Sequence, residues 1–335
     1  MTSREDELDQ IKRIDLRMIG FELGFEVNDS KTSTGSTCMD HPGGDRIIIG
    51  LAPDGHYLWF SVRGTPGSGS AIDLWQQHRG GNLGSVRRDL RAFLGAAGYV
   101  PSGTPPLSPK ASQQSRMLPN LRPVERDILG VQARYAGFRP LGPHHSYLCD
   151  TRGIPPEILA QPQFHARIRV NASGDAVFPH FDDSGLCGYE TKGDGFQSFS
   201  KGGRKGIWCS VPDRQDLRAV ISESAIDAIS YGVVSGHNRT RFLSFSGGMN
   251  DQQPRLLQQA MSKMQEGSVI VAAVDNDEAG DGYIRTLRGL FDQLGRDDLT
   301  FLEDRPSFIG ADWNDDLRGR RSGSPQPHGG GRPEP

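Results

Sequence analysis

Between Leu217 and Glu303, strand-length apolar runs alternate with helix-length amphipathic ones, and nothing else in the 335-residue chain constrains the fold as much. LRAVISE (217–223), RFLSFS (241–246), SVIVAAVD (268–275) and LTFLE (299–303) are short and apolar, in the manner of strands buried on both faces. Residues 224–236, 251–265 and 278–294 lie between them and read as helices, the first with Ile226, Ile229 and Val233 on one face. A helix between successive strands demands parallel crossovers. The spacing therefore predicts an α/β domain with a mostly parallel sheet.

The rest of the chain divides around this domain. Residues 1–100 predict a helical stretch over 5–24, helices at 71–78 and 83–94, and a β-hairpin. The hairpin comes from DRIIIGL (45–51) and HYLWFSV (56–62), joined by APDG. Residues 101–118 are a Pro/Ser-rich linker. Residues 119–216 read as an α+β unit, with helices at 125–135 and at PPEILAQ and strands at 168–170, 176–181 and 186–190. The α/β domain spans 217–318, and the low-complexity residues 319–335 are expected to be a disordered tail.

Cys38, Cys149, Cys187 and Cys209 are far apart with no CxxC pair, which argues against a disulfide framework. No apolar run approaches the eighteen residues or so of a membrane span, and the N-terminus lacks an apolar signal core. A cytoplasmic protein without membrane contact is expected. The net charge of −3 excludes a globally basic DNA-binding protein, yet it is uneven: −6 over residues 217–318 and +3 over 101–216.

The acidic residues of the α/β domain fall where such a sheet binds ligands, at the carboxyl ends of its strands. Glu223 ends the first strand and Asp227 follows one turn into the next helix. Asp275-Asn276-Asp277 ends the third, and Asp312-Trp313-Asn314-Asp315-Asp316 follows the last. Carboxylates crowded together repel one another unless a cation neutralises them, and hard oxygen ligands suit Mg²⁺ or Mn²⁺. Asp and Asn after a strand also serve as helix caps, but three such sites at strand ends, one a DxD, favour a metal.

These motifs resemble the Toprim domain shared by bacterial-type primases, topoisomerases and some nucleases. The matching stretches are ISESAIDAIS (221–230), VDNDEAGDGY (274–283) and DWNDDL (312–317), with SFSGGMN (244–250) similar to the glycine-bearing turn after the second strand. The resemblance implies a Rossmann-like sheet, catalytic Glu223, Asp275 and Asp277, and metal ligation by these three with Asp227, Asp312 and Asp315. Upstream, YLCDTRGIPPEIL (147–159) and AVFPHFDDSGLCGYETKG (176–193) resemble the primase core, most closely in DUF3991–Toprim proteins of mobile elements. Lys192, Lys201, Arg204 and Lys205, interleaved with Phe196, Phe199 and Trp208, would follow a single-stranded backbone and stack bases, with Arg152 on nucleotide phosphate. A solvated glycine-rich loop is the plain alternative. The N-terminal region resembles the primase zinc ribbon as a worn copy. Cys38 and His41 keep the first ligand pair, but Trp59-Phe60-Ser61-Val62 stands where the second belongs, so no zinc is expected.

Three functions follow from the resemblance. The first is a Mg²⁺- or Mn²⁺-dependent primase-type nucleotidyltransferase using single-stranded DNA and nucleoside triphosphates, with a helicase or a mobilisation or replication protein as the partner the resemblance implies. The second is a metal-dependent nuclease using the same acids. The third is a non-catalytic single-strand-binding accessory protein, which the lost zinc ligands and Ala311, where relatives often carry Lys, would suit. His144-His145, Met261 and Met264 read as loop and helix packing.

Overall fold

The computed structural model describes residues 4–97 and 120–321, apart from 53, 66 and 124. The expected linker over 101–118 lies outside the described residues. The described residues form two compact units, one made of those up to 127 with 195–202, the other of 128–194 with those from 203 onward.

In the first unit the helical stretch expected over 5–24 is two helices, α1 (Arg4–Lys12) and α2 (Leu16–Glu22). Asp15 separates them as the N-cap of α2, its carboxylate accepting from the Arg17 amide at 3.0 Å and pairing with the Arg17 guanidinium. An antiparallel sheet follows in the order β1 (Glu26–Val27), β2 (Ser36–Asp40), β3 (Arg46–Leu51), β4 (Tyr57–Arg63) and β5 (Ser68–Gly69). The expected hairpin is β3–β4, with Leu51 opposite Tyr57. Helix α3 (Ala71–Arg79) starts on a Ser70–Asp73 capping box, and α4 (Leu83–Leu90) passes into a tighter turn at Arg91–Ala97. Ile47, Ile49 and Trp59 pack with Leu16, Ile19 and Leu74 in one apolar core. Trp59 is thus a core residue, its indole donating to the Ser70 carbonyl at 3.1 Å. Cys38 is buried on β2.

The second unit begins with α5 (Ile128–Ala136) and four strands paired antiparallel in the order β6 (Arg139–Pro140), β7 (Arg169–Val170), β8 (Ala176–Asp182), β9 (Gly185–Gly193). One widened helical turn, Tyr147–Thr151, and the proline-started helices α6 (Pro156–Leu159) and α7 (Pro162–His165) lie between β6 and β7. The strand β10 (Phe196–Phe199) counts with the first unit, where the Gln197 amide donates to the Ser61 carbonyl.

The α/β sheet has the order β11 (Trp208–Cys209), β13 (Thr240–Ser244), β12 (Arg218–Ser222), β14 (Val269–Ala273), β15 (Thr300–Asp304). All its pairings are parallel except that of β11. Strand alternation sends Val220, Phe242 and Val271 to one face, against α8 (Ala225–Ser235) and α11 (Trp313–Arg321). Ala219, Ile221, Leu243 and Ile270 face α9 (Gln253–Ser262) and α10 (Glu278–Asp292). A sheet covered on both faces explains why its strands read as continuous apolar runs. The first of these cores also takes in Leu148, Ile158, Phe164 and Phe178, so the elements on either side of the boundary expected near residue 216 share one interior. Helix α11 runs to Arg321, past the expected start of the tail at 319; residues 322–335 lie outside the described residues.

Candidate active site

The carboxyl edge of the parallel sheet collects the acids. Glu223 follows β12 directly, and its Oε1 accepts from the Asp275 amide at 3.2 Å, joining the ends of β12 and β14. Asp227 is buried in the first turn of α8, where its amide and carboxylate both bond the Ser224 hydroxyl. Asp277 caps α10, accepting from the Gly280 amide at 2.7 Å. Asp312 accepts from the Asp315 amide at 2.7 Å at the start of α11.

These side chains feel one another's charge. Burial raises the pKa of Asp275, and Asp227, Glu223, Asp312 and Asp277 raise it further. Burial likewise pushes Glu223 up to about 7, with help from Asp277 and Asp227. Asp227 is raised by burial and Asp312, and Asp312 by burial and Asp315. Five of the six expected ligands thus share one electrostatic site. Asp315 acts from its rim, exposed and 3.9 Å from Arg318.

The donor set fits a hard divalent cation. Asp275 Oδ1 is buried without a hydrogen-bond partner, in a cluster where burial and neighbouring carboxylates outweigh the nearby Arg305, Arg152 and Lys192. Among the described residues, however, no three acidic, His or Cys side chains are already gathered at metal-binding spacing. The acids surround a site without forming a finished coordination shell.

Three further residues belong here that sequence reasoning passed over. Arg305, just after β15, donates to the Asp275 carbonyl and to Asp281 Oδ1 at 2.6 Å, and its charge opposes the rise at Glu223. Tyr283 stands over the glycine turn and feels Glu223, Asp277 and Asp275, although burial is the main reason its pKa rises to about 12. Asn314 is buried, donating to the Arg152 carbonyl at 2.7 Å and the Ser230 hydroxyl at 3.0 Å. Tyr283 and Asn314 lay within the recognised motifs, whereas Arg305 stands outside them, in a loop without periodicity.

The turn after β13 is fixed from two sides. Ser246 and Gly247 take successive left-handed conformations, φ 56° and 77°, and the Gly247 amide donates to the Glu223 carbonyl at 2.8 Å. The Ser246 hydroxyl lies 3.1 Å from His180 Nε2, while His180 Nδ1 lies 3.0 Å from the Gly206 carbonyl. A carbonyl only accepts, so Nδ1 carries the proton and Nε2 accepts from Ser246. Burial holds this neutral imidazole down to a pKa of about 4.

The basic residues expected along a strand do not form one exposed band. Burial opposes the charge of Lys192, but Glu190, 3.4 Å away, and Asp227 more than offset it and its pKa is raised. Lys205 donates to the Gly248 carbonyl at 2.6 Å, and burial lowers its pKa to about 8. Both face inward, toward the edge that carries the acids. Arg204 is engaged with Asp182 at 2.7 Å and the Ser184 hydroxyl at 2.8 Å. Arg152 donates to the Tyr147 hydroxyl at 3.0 Å and to Asn314, and its charge favours ionised Asp312. Lys201 is exposed in the first unit, as is Phe196, with Phe199 half-buried. Trp208 is a correction: it is fully buried, its indole donates to the Arg167 carbonyl at 3.0 Å, and it has no face to offer a base.

Residues 220–317 match the family model described as Toprim-like, and residues 146–216 match that described as a protein of unknown function, DUF3991. No curated protein matches the chain. Among solved structures it is similar to a DNA primase domain from Pseudomonas aeruginosa, at 14% identity and TM-score 0.30, over 46% of this chain and 52% of that one. It is also similar to the RNA polymerase domain of the Mycobacterium tuberculosis primase DnaG, at 14% identity and TM-score 0.29, over 58% and 71%. The chain therefore spans about half the length of the first of these structures. Every acid of the site lies within the matched 220–317 segment, so the chain carries a Toprim-like domain, preceded by a segment that matches DUF3991.

Proposed function

We propose that this protein is a Mg²⁺- or Mn²⁺-dependent nucleotidyltransferase of primase type, joining nucleoside triphosphates on a single-stranded DNA template. The observation that carries the reading is the carboxylate cluster of Glu223, Asp227, Asp275, Asp277 and Asp312, mutually destabilised and with Asp275 Oδ1 unpartnered, in a Toprim-like domain. Glu223, Asp275 and Asp277 would hold the cation, with Asp227, Asp312 and Asp315 supporting. A divalent ion held there supplies charge neutralisation at phosphate oxygens and acidifies an attacking hydroxyl. The side chains do the positioning. The Glu223–Asp275 bond fixes two strand ends together, Asp277 is oriented by its capping bond, and Arg305 clamps the Asp275 backbone. Lys192, Lys205 and Arg152 supply positive charge to the same edge, suited to the phosphates of an incoming triphosphate. A setting in replication or mobilisation of a mobile element, beside a helicase or mobilisation protein, rests on the family resemblance alone.

The test incubates the full chain with single-stranded DNA, ribo- and deoxynucleoside triphosphates and Mg²⁺ or Mn²⁺. Template-dependent product is expected, and Asp275→Asn should reduce it at least a hundredfold. Degradation of the template would replace this reading with a nuclease. Salt-sensitive binding with neither product nor degradation would leave an accessory role.

A further inference from the structure

Asp216 precedes β12, Arg241 stands near the start of β13, and Lys263–Gln265 lead into β14. These residues mark the amino edge of the parallel sheet, opposite the acids. Two adjoining cavities open there, of about 470 and 410 Å³, and Pro212, Arg241 and Lys263 line both. Each is of a size that takes a small organic molecule. All of their lining residues belong to the second unit.

The smaller cavity has an apolar base, where Ile207, Leu243 and Leu256 are buried. Phe181 adds an aromatic surface, and Arg167, which does not line the cavity, lies over its ring at 4.4 Å. Two polar side chains interrupt this apolar wall. The fully buried Ser210 hydroxyl accepts from the Phe242 amide at 3.0 Å, and its own hydrogen meets no acceptor among the described residues. The Gln259 carboxamide, half-buried on α9, has no partner among them either. The larger cavity is cationic at its rim. Arg214 and Lys263 are exposed there and form no ion pair among the described residues. Its acids are already engaged: Asp216 pairs with Arg241 at 3.3 Å and accepts from the Asp213 amide at 2.8 Å, and Asp213 accepts from the Gln215 amide at 2.7 Å. The acids of the smaller cavity are matched as well, Asp182 by Arg204 and Asp183 by Arg255 at 2.5 Å. On the surrounding loops Arg296 is paired with Asp298, while Arg239 adds a positive charge and Glu266 a negative one. Lys263 and Arg214 are the charges left to a ligand, and they select an anion.

An apolar slot with an aromatic wall and two unengaged hydrogen-bonding groups suits a nucleobase, and a cationic rim beside it suits a phosphate. We propose that the two cavities together bind a nucleoside phosphate, with the base beside Phe181, Ser210 and Gln259 and the phosphate against Lys263, Arg214 and Arg241. The site lies at the opposite edge of the sheet from the acid cluster, and the inference is independent of the reaction proposed there. Its ligand is a free nucleotide or the phosphorylated end of a strand, which share this chemistry.

The experiment titrates the full chain with ADP in a calorimeter, in chelator, so that no divalent ion holds phosphates at the acid cluster. Saturable binding of one ADP per chain is expected, and Asp275→Asn should leave it unchanged. K263A/R214A should weaken it at least roughly tenfold, the loss of one or two hydrogen bonds to charged groups. Gln259→Ala should weaken ADP roughly three- to tenfold, as one neutral hydrogen bond does, and leave ribose 5-phosphate unaffected. All three side chains reach solvent, so melting temperatures should not move. Because Cys209 lines the smaller cavity, ADP should also protect its thiol from iodoacetamide, a readout that needs no variant. A 5′-phosphorylated twelve-adenosine strand that displaces ADP identifies the strand end as the ligand, and one that does not identifies the free nucleotide; either result keeps the site. Absence of binding, or binding that Asp275→Asn abolishes, overturns the inference. So does ADP binding that K263A/R214A and Gln259→Ala leave intact. Equal affinity for ADP and ribose 5-phosphate, with Gln259→Ala silent, reduces the site to an anion contact and overturns it too.

Discussion

Gly280 has no room for a methyl group, because a β-carbon there would overlap the Asp275 carbonyl oxygen and meet the Arg305 guanidinium at 2.6 Å. The backbone of the DxD motif and the first turn of α10 are pressed together at this point, with the Asp277 cap closing onto the Gly280 amide. Gly280→Ala should therefore move Asp275 and Asp277 apart, costing about 1–3 kcal/mol of stability as an overpacked contact does. Activity should fall at least tenfold in a product assay at saturating nucleotide, while strand affinity changes little. His180 provides a second expectation at this scale. Its imidazole is neutral in the fold with a pKa near 4, facing Gly206 and Ser246, with Glu190, Lys205 and Lys192 as the charged groups around it. Unfolding returns it to the ordinary range near 6.5, where it takes up a proton, so its contribution is complete above about pH 6.5 and is lost as pH falls toward 4. Stability should decline over that window by up to about 3 kcal/mol from this residue. The check compares denaturant midpoints of the wild type and His180→Asn from pH 7 to pH 4.5, and the variant's slope should be shallower.

At the level of elements, α11 closes the site. Trp313 packs edge-on against Tyr231 at 4.7 Å, and Leu317 enters the same core, while Asp312 faces the acids. Asn314 locks the helix through its amide nitrogen, which serves both the Arg152 carbonyl and the Ser230 hydroxyl. Asn314→Asp keeps the shape and loses that donor, so it should cost as much as Asn314→Ala. About 1–3 kcal/mol is expected from unpartnered buried groups, measured by thermal melting, with a matching loss of product. Nothing in DWNDDL marks it as the start of a helix: four of its six residues are polar, and only Trp313 and Leu317 join the apolar core. The sheet was legible for the opposite reason. Burial on both faces makes β12, β13 and β14 continuous apolar runs, and Ser224 and Gly236 mark the ends of α8 as its N- and C-cap residues. The strand-end acids followed from those boundaries. What sequence could not reveal was direction: Lys192 and Lys205 resemble surface lysines until β9 and the glycine turn aim them inward, and Arg305 reaches Asp275 only through the crossover from β14 to β15.

For the second unit as a whole, the acid cluster is a standing electrostatic load. Carboxyls whose pKa values are raised by burial and by one another weaken the fold at neutral pH, when they must ionise together. A ligand that binds the folded state alone, at a hundred times its dissociation constant, adds about 2.7 kcal/mol. Mg²⁺ at neutral pH should therefore raise the melting temperature of the wild type by a few degrees, the change expected for a unit of this size. Asp275→Asn separates the two contributions, because it removes one repelled charge and one ligand together. In chelator the variant should melt above the wild type, and with Mg²⁺ it should gain little, so the order of the two melting temperatures narrows or reverses. Calorimetry in chelator and then in Mg²⁺ reads both effects on the same samples. A wild type unmoved by Mg²⁺ or Mn²⁺, with a variant that melts lower in chelator, would mean that the carboxylates are held by the fold for its own stability and do not form a cation site.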